Sequence, residues 1–170
     1  RAAPRRAVWL GINLVTAFIA ASMINLFQGT IEKVVALAVL MPIVASMGGI
    51  AGTQTLTVLV RGIAMGQIVR NNQTWLINRE LLIGVFNGVL WASVVAIAAS
   101  LWFDDWWIGA IIAAAMVINL VTAALTGAVL PLLMTRASID PALAGGVVLT
   151  TVTDVVGYVS VLGLATLVYA

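Results

Sequence analysis

The chain has no cysteine and no histidine among its 170 residues. The first absence excludes disulfides and thiolate metal sites. The second removes the commonest ligand for zinc and copper and the usual proton carrier near neutral pH. Charge is scarce as well. Eight basic and six acidic residues make up 8% of the chain, where a soluble domain carries about a quarter. A net charge of +2 is too small to point to nucleic acid. Neither a nucleophile–base pair nor a metal-ligand cluster stands out in the sequence, so an enzyme is not expected. What is present is apolar: 63% of the residues are hydrophobic, gathered into runs too long for a soluble core, with the charges between them. That pattern is the signature of a membrane protein.

Five runs are long enough to cross a bilayer, at residues 7–27, 34–60, 81–103, 107–134 and 142–168. Each reaches the ~20 residues needed to span ~30 Å of hydrocarbon as a helix. Gly29, Glu32 and Lys33 read as a short turn, 61–80 as a polar connection with room for a short interfacial helix, and 135–141 as a tight link. The fold class is therefore all-α, with five transmembrane helices per chain. With the N-terminus in the cytoplasm, Arg1, Arg5, Arg6, Arg61, Arg70, Arg79 and Arg136 lie inside and only Lys33 outside, as the positive-inside rule requires. Five spans then leave the C-terminus outside. A multi-pass protein of the cell's inner (plasma) membrane, surrounded by the lipid bilayer, is expected. Trp102, Trp106 and Trp107 flank the Asp104–Asp105 turn, and Trp9 and Trp75 sit near the cytoplasmic ends, positions that suit an aromatic belt. A chain that starts at Arg1 is expected to be part of a longer one, and its first run is long enough to span, unlike a cleavable signal peptide. The hexapeptide Ile12–Asn13–Leu14–Val15–Thr16–Ala17 recurs at Ile118–Asn119–Leu120–Val121–Thr122–Ala123, a repeat that so biased a composition produces readily by chance.

One charge is out of place. Asp154 lies twelve residues past Ala142, about 18 Å along its helix and close to the bilayer midplane. An aspartate there costs about 2.5–3.5 kcal/mol on insertion scales, and no basic residue lies in the same span. Protonation, a partner on another helix or a bound cation in a wet cavity could compensate. Gly146, Thr150 and Gly157 share a helical face with Asp154, and Thr151 adds another hydroxyl nearby. These residues are candidates for the lining of a pore; the competing reading is that the threonines bond to their own helix and the glycines permit close packing. The second run holds a further group of candidates: Pro42, Gly48, Gly49, Gly52 and Gln54. Proline frees a carbonyl, and broken helices occur at membrane depth where they line a cavity. The alternative is again packing, because Gly48/Gly52 and Gly84/Gly88 are both small-xxx-small pairs.

With only carboxylate, carbonyl, amide and hydroxyl oxygens available, the ligand set is hard and suits a cation such as magnesium, which sheds its water reluctantly. Two chains meeting on a two-fold axis would bring two Asp154 side chains together, and a divalent cation between them would relieve their repulsion.

The stretch Met41–Pro42–Ile43–Val44–Ala45–Ser46–Met47–Gly48–Gly49–Ile50–Ala51–Gly52–Thr53–Gln54, continuing to Val60–Arg61–Gly62, resembles the signature of the MgtE family of magnesium channels and transporters. So do Ile139–Asp140–Pro141–Ala142 and Thr150–Thr151–Val152–Thr153–Asp154–Val155–Val156–Gly157. The resemblance covers essentially the whole chain. It implies a homodimer with a pore at the dimer axis lined mainly by the second and fifth spans, and it makes Asp154 the principal magnesium-binding residue, facing a largely hydrated Mg2+. It also implies a cytosolic regulatory part, since family members commonly carry N-terminal and CBS domains that sense magnesium. Neither is read in this sequence, so residues 1–170 are expected to form the transmembrane pore domain. Ile50 departs from the pattern, which usually has asparagine after the glycine pair, and so gives the second span one polar side chain fewer.

Three functions follow. The leading one is passive conduction of magnesium, with cobalt or manganese as further candidate ions. A carrier coupling divalent cations to protons or sodium is the alternative, and a non-transporting membrane anchor is the third.

Overall fold

The computed structural model describes residues 2–170; Arg1, counted above with the basic N-terminal cluster, lies outside them. The described residues form α1 (Ala2–Leu26), α2 (Gln28–Lys33), α3 (Ala36–Ala64), α4 (Gln73–Phe103), α5 (Trp106–Arg136) and α6 (Pro141–Tyr169). All but α2 are long and apolar enough to cross a membrane. The expected all-helical fold and its five spans are present.

The boundaries moved in two places. The turn at 29–33 is a two-turn helix, tied to α6 by a 2.7 Å hydrogen bond between the Thr30 and Thr166 hydroxyls. The polar stretch 61–80 is no separate interfacial helix. α3 runs on to Ala64 and α4 begins at Gln73, leaving only 65–72 as connection. Polar side chains do not end a helix as it leaves the hydrocarbon; they mark where its surroundings change.

α5 is the central helix and packs against α3, α4 and α6. Small residues let α4 approach it closely. Gly84 faces Ala124, Gly88 faces the Val117 backbone, and Gly109 faces Ser100, so an added Cβ at Gly84 or Gly109 would collide. On its other side Gly127 rests on the carbonyl of Gly52 and on Thr55. Without a hydrophobic force between helices in lipid, such close approach is what holds them together. α1 is peripheral and packs chiefly on α6.

Asp105 joins the start of α5 to the end of α6. Its Oδ1 accepts from the Trp107 backbone N–H at 2.9 Å, capping α5, while its Oδ2 accepts from the Tyr169 hydroxyl at 2.8 Å. Tyr169→Phe is expected to destabilise the domain by about 1 kcal/mol, and Asp105→Ala by ~2 kcal/mol because the cap goes too. Thermal unfolding in detergent will rank the two. Equal melting temperatures would mean that the cap contributes nothing.

Candidate functional site

α6 begins on a strong local signal. Asp140 is its N-cap, accepting from the Ala142 N–H at 3.0 Å, and Pro141 occupies the first turn, where its missing N–H and fixed φ are harmless. Asp154 follows thirteen residues later, about 20 Å along a helix about 43 Å long. The inward face of α6 is dry: Leu149, Thr153, Val161 and Leu162 are fully buried. Asp154, Thr150 and Thr151 turn away from that face and are half-buried.

These three side chains open into a cleft of about 200 Å³ between α6 and α1, completed by Asn13, Thr16 and Ala17. Its hydroxyls share one orientation. Thr150 donates to the Gly146 carbonyl at 2.8 Å, Thr151 to Val147 at 2.8 Å and Thr16 to Asn13 at 2.9 Å. Their protons are committed to the backbone, so their oxygens remain as acceptors. The cleft therefore presents a carboxylate, three hydroxyl oxygens and one carboxamide. Larger hollows exist, including one of about 470 Å³ at the α1–α2 elbow beside Asn25, Gln28 and Glu32, but none of them places a carboxylate midway along a span.

The other candidates separate into three groups. Gly146 lies two turns from Asp154 on the line Gly146–Thr150–Asp154 and borders a hollow of about 430 Å³ with Thr53, Thr57 and Arg61. Gly48, Gly52 and Gly157 are buried in helix contacts: Gly48 and Gly157 against Asn119, and Gly52 against Leu149, 2.7 Å from where a Cβ would stand. Gln54 points elsewhere, into a groove of about 250 Å³ with Ile50, Asn87 and Trp91. Ile50, the departure from the family pattern, thus lies on a different face from Asp154. Pro42 is exposed, and a Cβ at Gly49 would meet nothing within 4 Å. α3 itself passes through Pro42 and the glycine pair as one helix. The packing reading of this stretch therefore accounts for Gly48 and Gly52, and no broken helix forms. Among the described residues no three acidic, histidine or cysteine side chains cluster.

Asn13 and Thr16 were not singled out from sequence as site residues. The available signal was a carboxamide in mid-span with a hydroxyl three residues on, which places both on one face of α1.

The sequence profile of the MgtE family, described as a divalent cation transporter, matches residues 41–164. The chain belongs to the MgtE family. The matched region takes in α3 almost entirely, all of α4 and α5, and α6 as far as Leu164. Proteins named magnesium transporter MgtE are similar to it along most of its length. The one from Bacillus subtilis is 32% identical over 97% of this chain, and that from Enterococcus faecalis is 32% identical over 91%. The Thermus thermophilus protein is 28% identical over 95%. The chain spans only about a third of these relatives, 34–37% of their length. The MgtE match includes Asp154, Thr150 and Thr151 of the cleft, whereas Asn13, Thr16 and Ala17 lie before the matched region.

Proposed function

We propose that this domain conducts magnesium through the membrane, with Asp154 holding the ion through its hydration shell. The observation that carries this reading is the acceptor surface that α6 presents to the Asp154 cleft. A hydrated cation presents only O–H donors on its outer surface, and the carboxylate with the inward-bonded threonines offers only acceptors to it. The cleft, at about 200 Å³, has room for several water molecules, as an ion that keeps its hydration shell requires. The names of the relatives support the same ion. Cobalt and manganese, which also accept oxygen ligands, are secondary candidates.

The assembly proposed is a homodimer with α3 and α6 toward its axis, the N-terminus in the cytoplasm and a cytosolic regulatory part in the full-length protein. The line Gly146–Thr150–Asp154 and the open flank at Gly49 suit such a face. The membrane potential would drive the ion, at ~2.3 kcal/mol per charge per 100 mV.

Magnesium influx into proteoliposomes holding this chain, at fixed voltage with and without a pH gradient, tests the reading. Voltage-driven uptake that ignores the gradient is expected. A strict requirement for the gradient would replace conduction by coupled carriage, and no uptake from well-folded protein would leave an anchoring role.

A further inference from the structure

The family resemblance nominates the second and fifth spans, α3 and α6, for the ion path. The Asp154 cleft instead has its second wall on α1. Asn13 and Asp154 each lie midway along their helices, and α1 rests on α6 with little else beside it. The three α1 residues in the cleft are spaced 13, 16 and 17, one face of one turn. Ala17 leaves room, Thr16 turns its oxygen outward as an acceptor, and Asn13 brings a carboxamide to membrane depth. In hydrocarbon such a group needs a polar partner, and the surface it meets here is the carboxylate and threonine oxygens of α6. A carboxamide can do what a hydroxyl with a committed proton cannot: its Nδ2 can donate to Asp154 while its Oδ1 accepts from the water of an ion.

We infer that Asn13, supported by Thr16, is a specificity-determining contact for the outer surface of the hydrated cation held at Asp154. This rests on the proposed ion-conducting role of Asp154 and adds α1 to the ion path. Within one chain, α6 alone touches the ion from one side only. A second wall sets how large a hydrated ion fits and how many of its waters are held at once. Magnesium, with its tightly held octahedral shell, is favoured over calcium, whose shell is larger and more variable.

The test measures initial magnesium uptake in proteoliposomes against magnesium concentration, with calcium and the inert cation cobalt(III) hexaammine as competitors. The second competitor has a similar octahedral outline, presents only N–H donors and cannot shed its ligands. Asn13→Leu is expected to raise the half-saturating magnesium concentration about tenfold, weaken block by cobalt(III) hexaammine by a similar factor, and narrow the preference for magnesium over calcium. Such a shift corresponds to ~1.4 kcal/mol. Thr16→Val, which keeps the shape and removes the oxygen, is expected to shift in the same direction by about threefold. Leu14→Ala, on the exposed side of α1, is expected to behave as the parent and controls for disturbance of the helix. Asn13→Leu and Thr16→Val curves that overlay the parent in all three readouts, while Asp154→Asn still lowers uptake roughly 30-fold, would overturn the role of α1 and leave the proposed function standing. A parent protein that takes up no magnesium would instead remove the reading on which the inference rests.

Discussion

Asp154→Asn is expected to lower magnesium uptake at sub-saturating concentration by roughly 30-fold, measured as initial influx into proteoliposomes at fixed voltage. Asparagine keeps the shape of the side chain and one acceptor oxygen but loses the charge. Charge-assisted hydrogen bonds contribute about 1.5–3 kcal/mol each, against about 1 kcal/mol for neutral ones. Losing ~2 kcal/mol of attraction is a factor of roughly 30. The threonines cannot substitute, because their protons are already given to Gly146 and Val147 and their oxygens carry no formal charge.

The same substitution should have the opposite effect on the fold. A carboxylate midway through the bilayer opposes insertion by about 2.5–3.5 kcal/mol, so the asparagine variant is expected to insert and melt at least as well as the parent. Function and stability moving in opposite directions would separate an ion-binding aspartate from a structural one. If Asp154→Asn took up magnesium at the parent rate, the site assignment would be wrong. If it lost assembly together with uptake, Asp154 would be a helix–helix contact instead.

The second large effect concerns Asn119, which shares the repeated hexapeptide with Asn13 but has a different fate. It is fully buried among α3, α5 and α6. Its Nδ2 donates to the Val44 carbonyl at 2.9 Å, and its Oδ1 has no partner among the described residues. Gly48 and Gly157 are the floor and wall of its socket. A Cβ on Gly48 would collide with the amide, lying 2.7 Å from Cγ, and one on Gly157 would stand 3.1 Å from Nδ2.

Gly48→Ala is therefore expected to destabilise the domain by about 1–3 kcal/mol through overpacking. Asn119→Ala is expected to do so by ~2 kcal/mol through a lost hydrogen bond and a cavity. The two should not add. In the double variant the new methyl enters the space the amide has left, so the combined loss should fall short of the sum by at least about 1 kcal/mol, within the range seen for contacting residues. Denaturant unfolding in mixed micelles will measure this cycle. Strict additivity would show that Gly48 is not there to accommodate Asn119. Gly48→Leu, with no space to enter, is expected to prevent folding.

These two asparagines show what a linear reading could and could not see. Both stand in the same six-residue context, yet one faces a cleft and the other a dry three-helix contact. Local sequence cannot tell them apart, because the difference lies in which helices pack against α1 and α5. Gly48, Gly49 and Gly52 divide in the same way. All were candidate pore residues; Gly48 and Gly52 are consumed by packing against Asn119 and Leu149, while Gly49 stays open. The polar stretch 61–80 differs from its expected interfacial helix for a related reason: α3 and α4 extend into it. Hydropathy reports the medium around a segment, whereas helix length follows backbone hydrogen bonding, which continued through Gln73 and Glu80 into the body of α4.

The sequence by itself determined the medium, the number of spans and the one acid in mid-membrane. Burying apolar length in lipid is a local, additive property, and a charge near the midplane is recognised from its position along the span. It also determined the family, through blocks of residues that keep their spacing along the chain. Only the tertiary structure decided which face of α6 carries Asp154 to its cleft, that α1 forms the opposite wall, and that Gln54 looks into another groove. Those outcomes depend on the rotation of each helix about its own axis, which is set by how small residues such as Gly52, Gly84 and Gly127 let neighbouring backbones approach.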